Sequence, residues 1–194
     1  MRKPDQITVD RALLLYLLHL AESFGCAQDR PHGLMSDVKL QQLAFLCELQ
    51  MFTKSVRGFH FEFFRFAYGA FSKDLDNDLM SLRRKERVEN FSVSAEAQDA
   101  IALLQESAKG VEADEQALGI LEAVAANYAP QDTGAITNSV EAVELSTPEQ
   151  PEFKLAIRDI SFHTTLLVPH RIEVKSEFTL PPAVLAKLNT AMGY

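Results

Sequence analysis

The sequence has only two cysteines and no tryptophan, and its longest uninterrupted apolar run extends only from Ala12 to Leu18. A membrane-spanning helix needs about 20 such residues, so no membrane insertion is expected. The charged N-terminus is not followed by a small-residue cleavage site, so no secretory signal is expected and the cytoplasm is the predicted compartment. Cys26 and Cys47 are therefore predicted to be free thiols.

The sequence motifs of common enzyme classes are also missing. It contains no glycine-rich phosphate loop, no Walker lysine, no nucleophile elbow and no His-Glu-x-x-His pattern. None of the five histidines stands at zinc-type spacing from the cysteines, and Cys26 with His32 is the closest pair. We therefore predict no catalytic residue, no metal site and no cofactor, and a protein that is not an enzyme.

The charge is distributed unevenly between the two halves of the chain. The hydrophobic fraction of 47% and the charged fraction of 24% are typical of a globular protein. Residues 1–94 hold thirteen Lys and Arg against twelve Asp and Glu, whereas residues 95–194 hold six against fifteen. An acidic half repels a phosphate backbone and favours a basic partner, although a solvated surface would have the same composition.

The stretch from Ser36 to Arg87 has the clearest local signals. Apolar residues at helical spacing after Ser36 predict a capped helix to Met51. Aromatic and polar residues alternate from Phe59 to Phe66 and slip by one at Phe63-Phe64, which predicts a half-buried strand with a bulge near Phe64. A tight turn around Gly69 then leads to a second capped helix from Ser72 to Arg87.

These residues resemble the Panacea domain, also called SocA-like, and its YwgA-like relatives. The resemblance is carried by Lys39-Leu40-Gln41-Gln42-Leu43, by Tyr68-Gly69-x-Phe71-Ser72 with Leu75, and by Phe91-Ser92-Val93-Ser94. Ala70 stands where the family usually has proline. The resemblance implies structural roles for Lys39, Leu40, Tyr68, Gly69, Ser72 and Leu75. It also implies a bacterial or phage-associated antitoxin that binds a partner toxin.

The rest of the chain predicts alternating helices and short strands. A first helix starts at Thr8 or Asp10 and ends at Phe24. Strand Val88 to Val93 is expected to pair antiparallel with the phenylalanine strand, followed by a helix that Ser94 caps, a helix from Asp114 to Tyr128, and one from Asp132 or Thr133 to about Leu145. Strands are predicted within Phe153 to Val168 and Arg171 to Leu180, and a last helix from Ala183 to Met192.

The predicted fold class is α+β: a mainly helical domain with a small antiparallel sheet, partly similar to a winged helix. Residues 146–151 are the best linker candidate. The chain is therefore divided into a core at 1–145 and a strand-rich extension at 146–194, which either completes the sheet of the same domain or pairs with another chain, including a second copy.

Two candidate surfaces follow from these patterns. Phe59, Phe61 and Phe63, with Arg65, are predicted to bind a protein partner if one face of their strand stays open, whereas core packing is the alternative. The basic cluster of Arg83, Arg84, Lys85 and Arg87 could contact nucleic-acid phosphates, or could complement the end of its own helix.

We therefore expect a non-enzymatic protein-binding protein, an antitoxin that neutralises a toxin by direct contact. A DNA-binding transcriptional regulator is an alternative that depends on the basic cluster. A protease adaptor or a phage-associated protein is a further one.

Overall fold

The computed structural model describes residues 2–25, 35–147 and 149–194. These residues form a mainly helical fold with small sheets, which confirms the predicted α+β class. The α-helices in the described residues are α1 (Pro4–Gly25), α2 (Asp37–Thr53), α3 (Lys73–Arg84), α4 (Gln98–Ala108), α5 (Glu112–Tyr128), α6 (Thr133–Glu141) and α7 (Pro182–Ala191). None of these helices has the length and apolarity needed to cross a membrane.

The strands in the described residues are short and form four separate sheets. They are β1 (Val56–Arg57), β2 (Phe63–Phe66), β3 (Gly69–Phe71), β4 (Val88–Glu89), β5 (Ser92–Val93), β6 (Glu144–Thr147), β7 (Gln150–Ala156), β8 (Thr165–Leu167) and β9 (Ser176–Glu177). A three-stranded antiparallel sheet has the order β3-β2-β8, while β1 pairs with β9 in parallel. The hairpins β4–β5 and β6–β7 complete the set.

Helices α1 and α2 form the centre of the core. Two of the three predicted serine caps are confirmed: the Ser36 hydroxyl accepts from the backbone N–H of Lys39, and the Ser72 hydroxyl from that of Leu75. Helix α1 is longer than predicted because it already begins at Pro4, and proline fits the first turn of a helix. The core therefore contains long apolar stretches of both helices, with Leu13 to Leu18 and Leu40 to Cys47 almost completely buried.

Two glutamine side chains of α2 cover the outer edge of β3. Gln42 donates to the carbonyl of Ala70 at 3.0 Å and accepts from its N–H at 3.1 Å. Gln41 makes the same pair of bonds with Ser72, at 3.1 and 2.8 Å. The two side-chain amides thus replace a neighbouring strand, and all four backbone groups are satisfied.

Gly69 is required where β3 meets α2. Its φ of +94° lies in a region that favours glycine, and an added Cβ would approach the Gln42 Oε1 atom to 2.5 Å. Leu40 and Leu75 are core residues, whereas the Tyr68 side chain is 62% exposed. Gly69 and Ser72 therefore belong to the contact between α2 and β3, and Leu40 and Leu75 belong to the core.

The phenylalanine segment differs from the prediction. Only Phe63–Phe66 is a strand, and the odd-numbered positions from 59 to 65 all point inward, so there is no slip in this segment. The two adjacent phenylalanines at 63 and 64 differ in burial: Phe63 is buried, Phe64 is partly exposed, and the next inward position is occupied by Arg65. The irregular pairing lies beside Phe64, but the extra residue is Leu166 of β8, since Phe63 pairs with Leu167 and Phe64 with Thr165.

The predicted partner-binding role of the phenylalanines is wrong for the folded chain. Phe59, Phe61 and Phe63 are completely buried, and their rings contact one another and Phe45. Arg65 is also buried and bonds to Glu141 and to the carbonyl of Phe66. Core packing, the alternative, accounts for these residues.

Other predicted elements are shorter or pair differently. Val88 to Val93 forms the small hairpin β4–β5 and does not pair with the phenylalanine segment, so these residues do not form the strand pairing of a winged helix.

The starts of the later helices also differ from the prediction. A 3-10 turn precedes α4, and the Ser94 side chain does not cap it. Asp114 lies inside α5 and accepts from the N–H of Thr179. The Asp132 cap of α6 is confirmed, but that helix ends at Glu141.

The C-terminal segment is joined to the elements that precede it. Within the predicted linker, residues 146–147 end β6 and residues 150–151 begin β7. Beyond it, β8 extends the β2–β3 sheet, β9 pairs with β1, and α7 packs against α4 and α1. Helix α7 confirms the predicted terminal helix within one residue at each end.

Candidate functional site

A buried ion network joins the N-terminus to three other parts of the chain. At its centre is Asp10 of α1, which is fully buried. Its Oδ1 accepts from the backbone N–H of His60 at 2.9 Å and lies 2.9 Å from the ring Nδ1, while its Oδ2 accepts from Arg2 at 2.8 Å. One carboxylate thus fixes both the backbone and the ring of His60.

Arg2 extends the network to α3. Its guanidinium donates to Asp10 and, at 2.6 Å, to Asp78, which also accepts from Arg11 at 2.9 Å. Burial raises the pKa of Asp78, and this effect exceeds the opposite effect of the two arginines. Asp10 of α1 and Asp78 of α3 are therefore held together by one shared guanidinium group, that of Arg2.

His60 connects the network to the C-terminal segment. Its Nε2 lies 3.0 Å from Glu177 of β9, and Glu177 accepts from Arg57 at 2.8 Å. Burial lowers the pKa of His60, but the hydrogen bonds and charges of Asp10 and Glu177 outweigh burial and raise it overall. Because a carboxylate lies at each ring nitrogen, the imidazolium form donates to both, and no ring nitrogen is left to act on a substrate.

A polar cleft of about 310 Å³ lies beside this network. Arg57 closes one side, where its guanidinium also donates to the carbonyls of Pro169 and Ile172. His170 and Glu62 lie 3.6 Å apart at the surface. The ionisable groups that line the cleft are Arg2, Arg57, His60, Glu62, Asp74 and His170. Arg2, Arg57 and His60 are bonded to the carboxylates of Asp10, Asp78 and Glu177. The cleft is therefore primarily a boundary between packed elements.

Glu48 of α2 is the unusual member of this region. It is fully buried, and among the described residues neither carboxyl oxygen has a hydrogen-bond partner. Burial raises its pKa well above the ordinary 4.5, the charge of Asp10 adds to this, and Arg57 acts in the opposite direction. The neutral carboxylic acid is therefore the form that the fold favours.

Glu48→Gln is expected to raise the free energy of unfolding at pH 8 by about 1–3 kcal/mol, because the wild-type chain must either bury a charge or keep a proton there. A carboxyl group with a raised pKa binds its proton more strongly in the folded state, so stability falls as pH rises from about 4.5 through the folded-state pKa. Urea unfolding at pH 4.5 and 8 measures the difference between the two proteins.

The raised pKa of His60 also makes the wild-type protein less stable as pH rises, so only the difference between variant and wild type isolates Glu48. An advantage of equal size at both pH values would contradict the assignment of a neutral, buried acid.

The predicted basic cluster is largely bound to its own chain. Arg83 donates twice to the carbonyl of Asn90 and stacks over Phe91, and Arg87 donates to the carbonyls of Lys85 and Ala191. The Lys85 ammonium lies 5.3 Å from the Tyr194 ring. Arg84 is exposed. A structural role therefore accounts for Arg83 and Arg87, but it differs from the predicted complement to the helix end: their bonds join the end of α3 to the β4–β5 hairpin and to the end of α7.

The β6–β7 hairpin has the largest exposed apolar side chains in this part of the fold. Phe153 is 58% exposed and Leu155 is 40% exposed, and every residue of β7 except Ala156 is exposed. Because Leu145 pairs with Leu155, these two side chains and Phe153 lie on the same face of the hairpin.

That face forms one wall of an apolar groove, which we call the hairpin groove. It has a volume of about 200 Å³, and its other wall is formed by the residues that lead into and through β8. Its lining residues are Leu145, Ser146, Thr147, Gln150, Phe153, Leu155, Ile160, Thr164, Thr165 and Leu166. Phe162, 61% exposed, lies in the loop before β8, with its ring 5.1 Å from the guanidinium of Arg65.

No protein-family model, curated protein or solved structure matches the chain. The resemblance to the Panacea domain therefore stays a prediction. The geometry of the lysine in its helix motif is compatible with a structural role: Lys39 is buried, and its ammonium donates to the carbonyls of Ala129 and Gln131 at 2.6 and 2.7 Å. Burial lowers the pKa of Lys39.

Sequence reasoning missed both the ion network and the hairpin groove. The network residues are dispersed from position 2 to position 177, and no local pattern connects them. The groove had a partial signal in the apolar positions Leu155, Ile157, Ile160 and Phe162, of which Leu155 and Ile160 line it. This pattern predicted strands but did not indicate which face would remain exposed.

Among the described residues, no group of three or more His, Cys, Asp or Glu has the geometry to hold a metal ion. Cys26 and His32 lie outside the described residues.

Proposed function

We propose that this protein is a cytoplasmic, non-enzymatic antitoxin that neutralises a partner protein by direct contact, and that the hairpin groove is its contact surface. The observation that carries the proposal is the exposure of Phe153 and Leu155 on a hairpin with little burial of its own. The resemblance to the Panacea domain supplies the antitoxin role, and the surface supplies the site.

An isolated two-stranded hairpin is only marginally stable in water. In β6 and β7 most residues are exposed, so the hairpin gains little from the core. A partner that covers the apolar face would bury Phe153 and Leu155, and would compensate for this deficit. Large exposed apolar side chains grouped on one surface are typical of protein interaction sites.

Charge supports a basic partner. The hairpin region from Glu141 to Ile160 contains five acidic residues and two basic ones, and the whole chain has a net charge of −8. Glu144, Glu149 and Glu152 are exposed. Complementary charge speeds association and selects among partners, so a positively charged toxin surface fits this side of the molecule.

Co-expression with the protein encoded by the neighbouring gene tests the proposal. If that protein is the toxin, the wild-type chain is expected to restore growth and to co-purify with it as a stable complex. The double substitution Phe153→Ser with Leu155→Ser is expected to abolish both results, because it removes the apolar contact. Because both side chains are exposed, the free energy of unfolding should change by less than about 1 kcal/mol.

Met80→Gln is the matched control. Met80 is 42% exposed on α3, so this change also removes an exposed apolar side chain, and growth rescue should be retained. An immunoblot of the toxin distinguishes neutralisation by occupancy, in which its amount is unchanged, from adaptor-mediated proteolysis, in which it disappears. If wild type neither rescues growth nor forms a complex with that protein, the proposal is wrong for that pair.

A further inference from the structure

Resting on the proposed function, we infer that the hairpin groove takes an extended, basic segment of a partner protein, which pairs as an added strand with the free edge of β8. The three-stranded sheet would then continue as β3-β2-β8-partner. Three independent features of the described residues lead to this occupant: the condition of the sheet edges, the chemistry of the groove walls and the charge of the hairpin.

The two edges of the three-stranded sheet differ in whether their backbone groups are covered by other parts of the chain. The β3 edge is covered, because Gln41 and Gln42 bond to the N–H and C=O groups of Ser72 and Ala70. Within the described part of the chain, β8 has a strand partner only on the side of β2. Thr164, directly before β8, and Thr165 and Leu166 within it line the groove. The uncovered edge of the sheet is therefore at the apolar surface.

The bulge in β8 leaves one of its residues without a partner in β2. Leu166 is the extra residue between the pairs Phe64–Thr165 and Phe63–Leu167, and a bulged residue is left unpaired by the opposite strand. Its side chain lines the groove. An incoming strand could satisfy the backbone groups of this residue and pack a side chain against it.

Edge strands in soluble proteins usually have features that prevent pairing, such as charge and proline. Strand β7 has both: it contains Pro151, which has no backbone N–H, and exposed Glu152 and Lys154. The segment Thr165–Leu167 has neither charge nor proline. Charge and proline therefore oppose the addition of a strand at β7, and neither of them is present at β8.

The hairpin determines the chemistry of the segment. Its apolar face, with Leu145, Phe153 and Leu155, would receive alternate side chains of an extended segment, since such side chains point to one face at every second position. The β8 edge is short, so much of the affinity must come from these contacts. The acidic residues of the hairpin favour lysine and arginine at the remaining positions, and they disfavour a second copy of this acidic hairpin.

The test uses the full chain and synthetic peptides of about eight residues, a typical strand length, labelled with fluorescein. A peptide that alternates lysine and valine is expected to bind saturably in fluorescence anisotropy, and to bind more weakly as NaCl rises from about 0.05 to 0.5 M. The same peptide with glutamate in place of lysine, or with N-methyl groups at alternate residues, is expected to bind at least about tenfold more weakly. Phe153→Ser should also weaken binding about tenfold, and Met80→Gln should leave it unchanged.

Each contrary result overturns a stated part of the inference. Equal binding of the glutamate peptide refutes a basic segment, and equal binding of the N-methylated peptide refutes strand pairing. A concentration-dependent dimer that Phe153→Ser dissociates would make a second copy the occupant. Failure of the growth rescue with intact peptide binding refutes the proposed function alone. Growth rescue that survives Phe153→Ser with Leu155→Ser refutes the groove as the site.

Discussion

Replacing Asp10 with alanine is expected to lower the free energy of unfolding by about 3–5 kcal/mol, because the change leaves buried positive charge without its partner. Asp10 accepts from the backbone N–H of His60 and from Arg2, and it lies against the His60 ring. All of these contacts would be lost together. Urea unfolding followed by circular dichroism near pH 7 measures the effect.

Asp5 is the matched control for Asp10. It is an exposed aspartate in the first turn of the same helix. Asp5→Ala should lower the free energy of unfolding by at most about 1 kcal/mol, because it removes a favourable interaction with the helix dipole. If Asp10→Ala were no more destabilising than Asp5→Ala, the buried ion network would not contribute to the stability of the fold.

Gln42→Leu is expected to lower the free energy of unfolding by about 2–4 kcal/mol. Leucine fits the volume but leaves the buried N–H and C=O of Ala70 without their partners, and each unsatisfied buried group costs about 1–3 kcal/mol. Gln42→Glu should also be strongly destabilising, since it retains an acceptor for the N–H but places an oxygen against the carbonyl. Urea unfolding compares both variants with wild type.

Gln50→Leu is the control on the same helix, at a partly exposed position. It is expected to change stability by less than about 1 kcal/mol. Similar effects of Gln50→Leu and Gln42→Leu would show that the amide of Gln42 does not act as a substitute for a strand at β3.

The ion network and the proposed contact surface are connected through the C-terminal segment. His60 and Arg57 hold Glu177 of β9, and Arg57 also bonds to the carbonyls of Pro169 and Ile172. These contacts fix the chain directly after β8. The network therefore positions one wall of the hairpin groove without contributing a residue to it.

Local signals predicted the elements whose causes are local. Ser36 and Ser72 are followed by apolar residues at helical spacing, and each hydroxyl accepts from the N–H three residues further on, so both caps depend on residues close in sequence. The turn at Gly69 was also predicted from a local cause, the conformational freedom of glycine. The phenylalanine segment was predicted less well, since aromatic alternation indicates a buried face but not how many residues find a strand partner.

The sequence alone determined the α+β class, the serine-capped helices α2 and α3, the tight turn between them and the acidity of the second half. These follow from helical spacing, from capping and from composition, which act over a few residues. Only the tertiary structure decided that Phe59, Phe61 and Phe63 are core, that Asp10, His60 and Glu177 meet, and that β8 keeps a free edge. The physical reason is that burial, ion pairing and strand pairing depend on residues that are distant in the sequence and come together only when the chain has folded: Asp10 and His60 are 50 positions apart, and His60 and Glu177 are 117 apart.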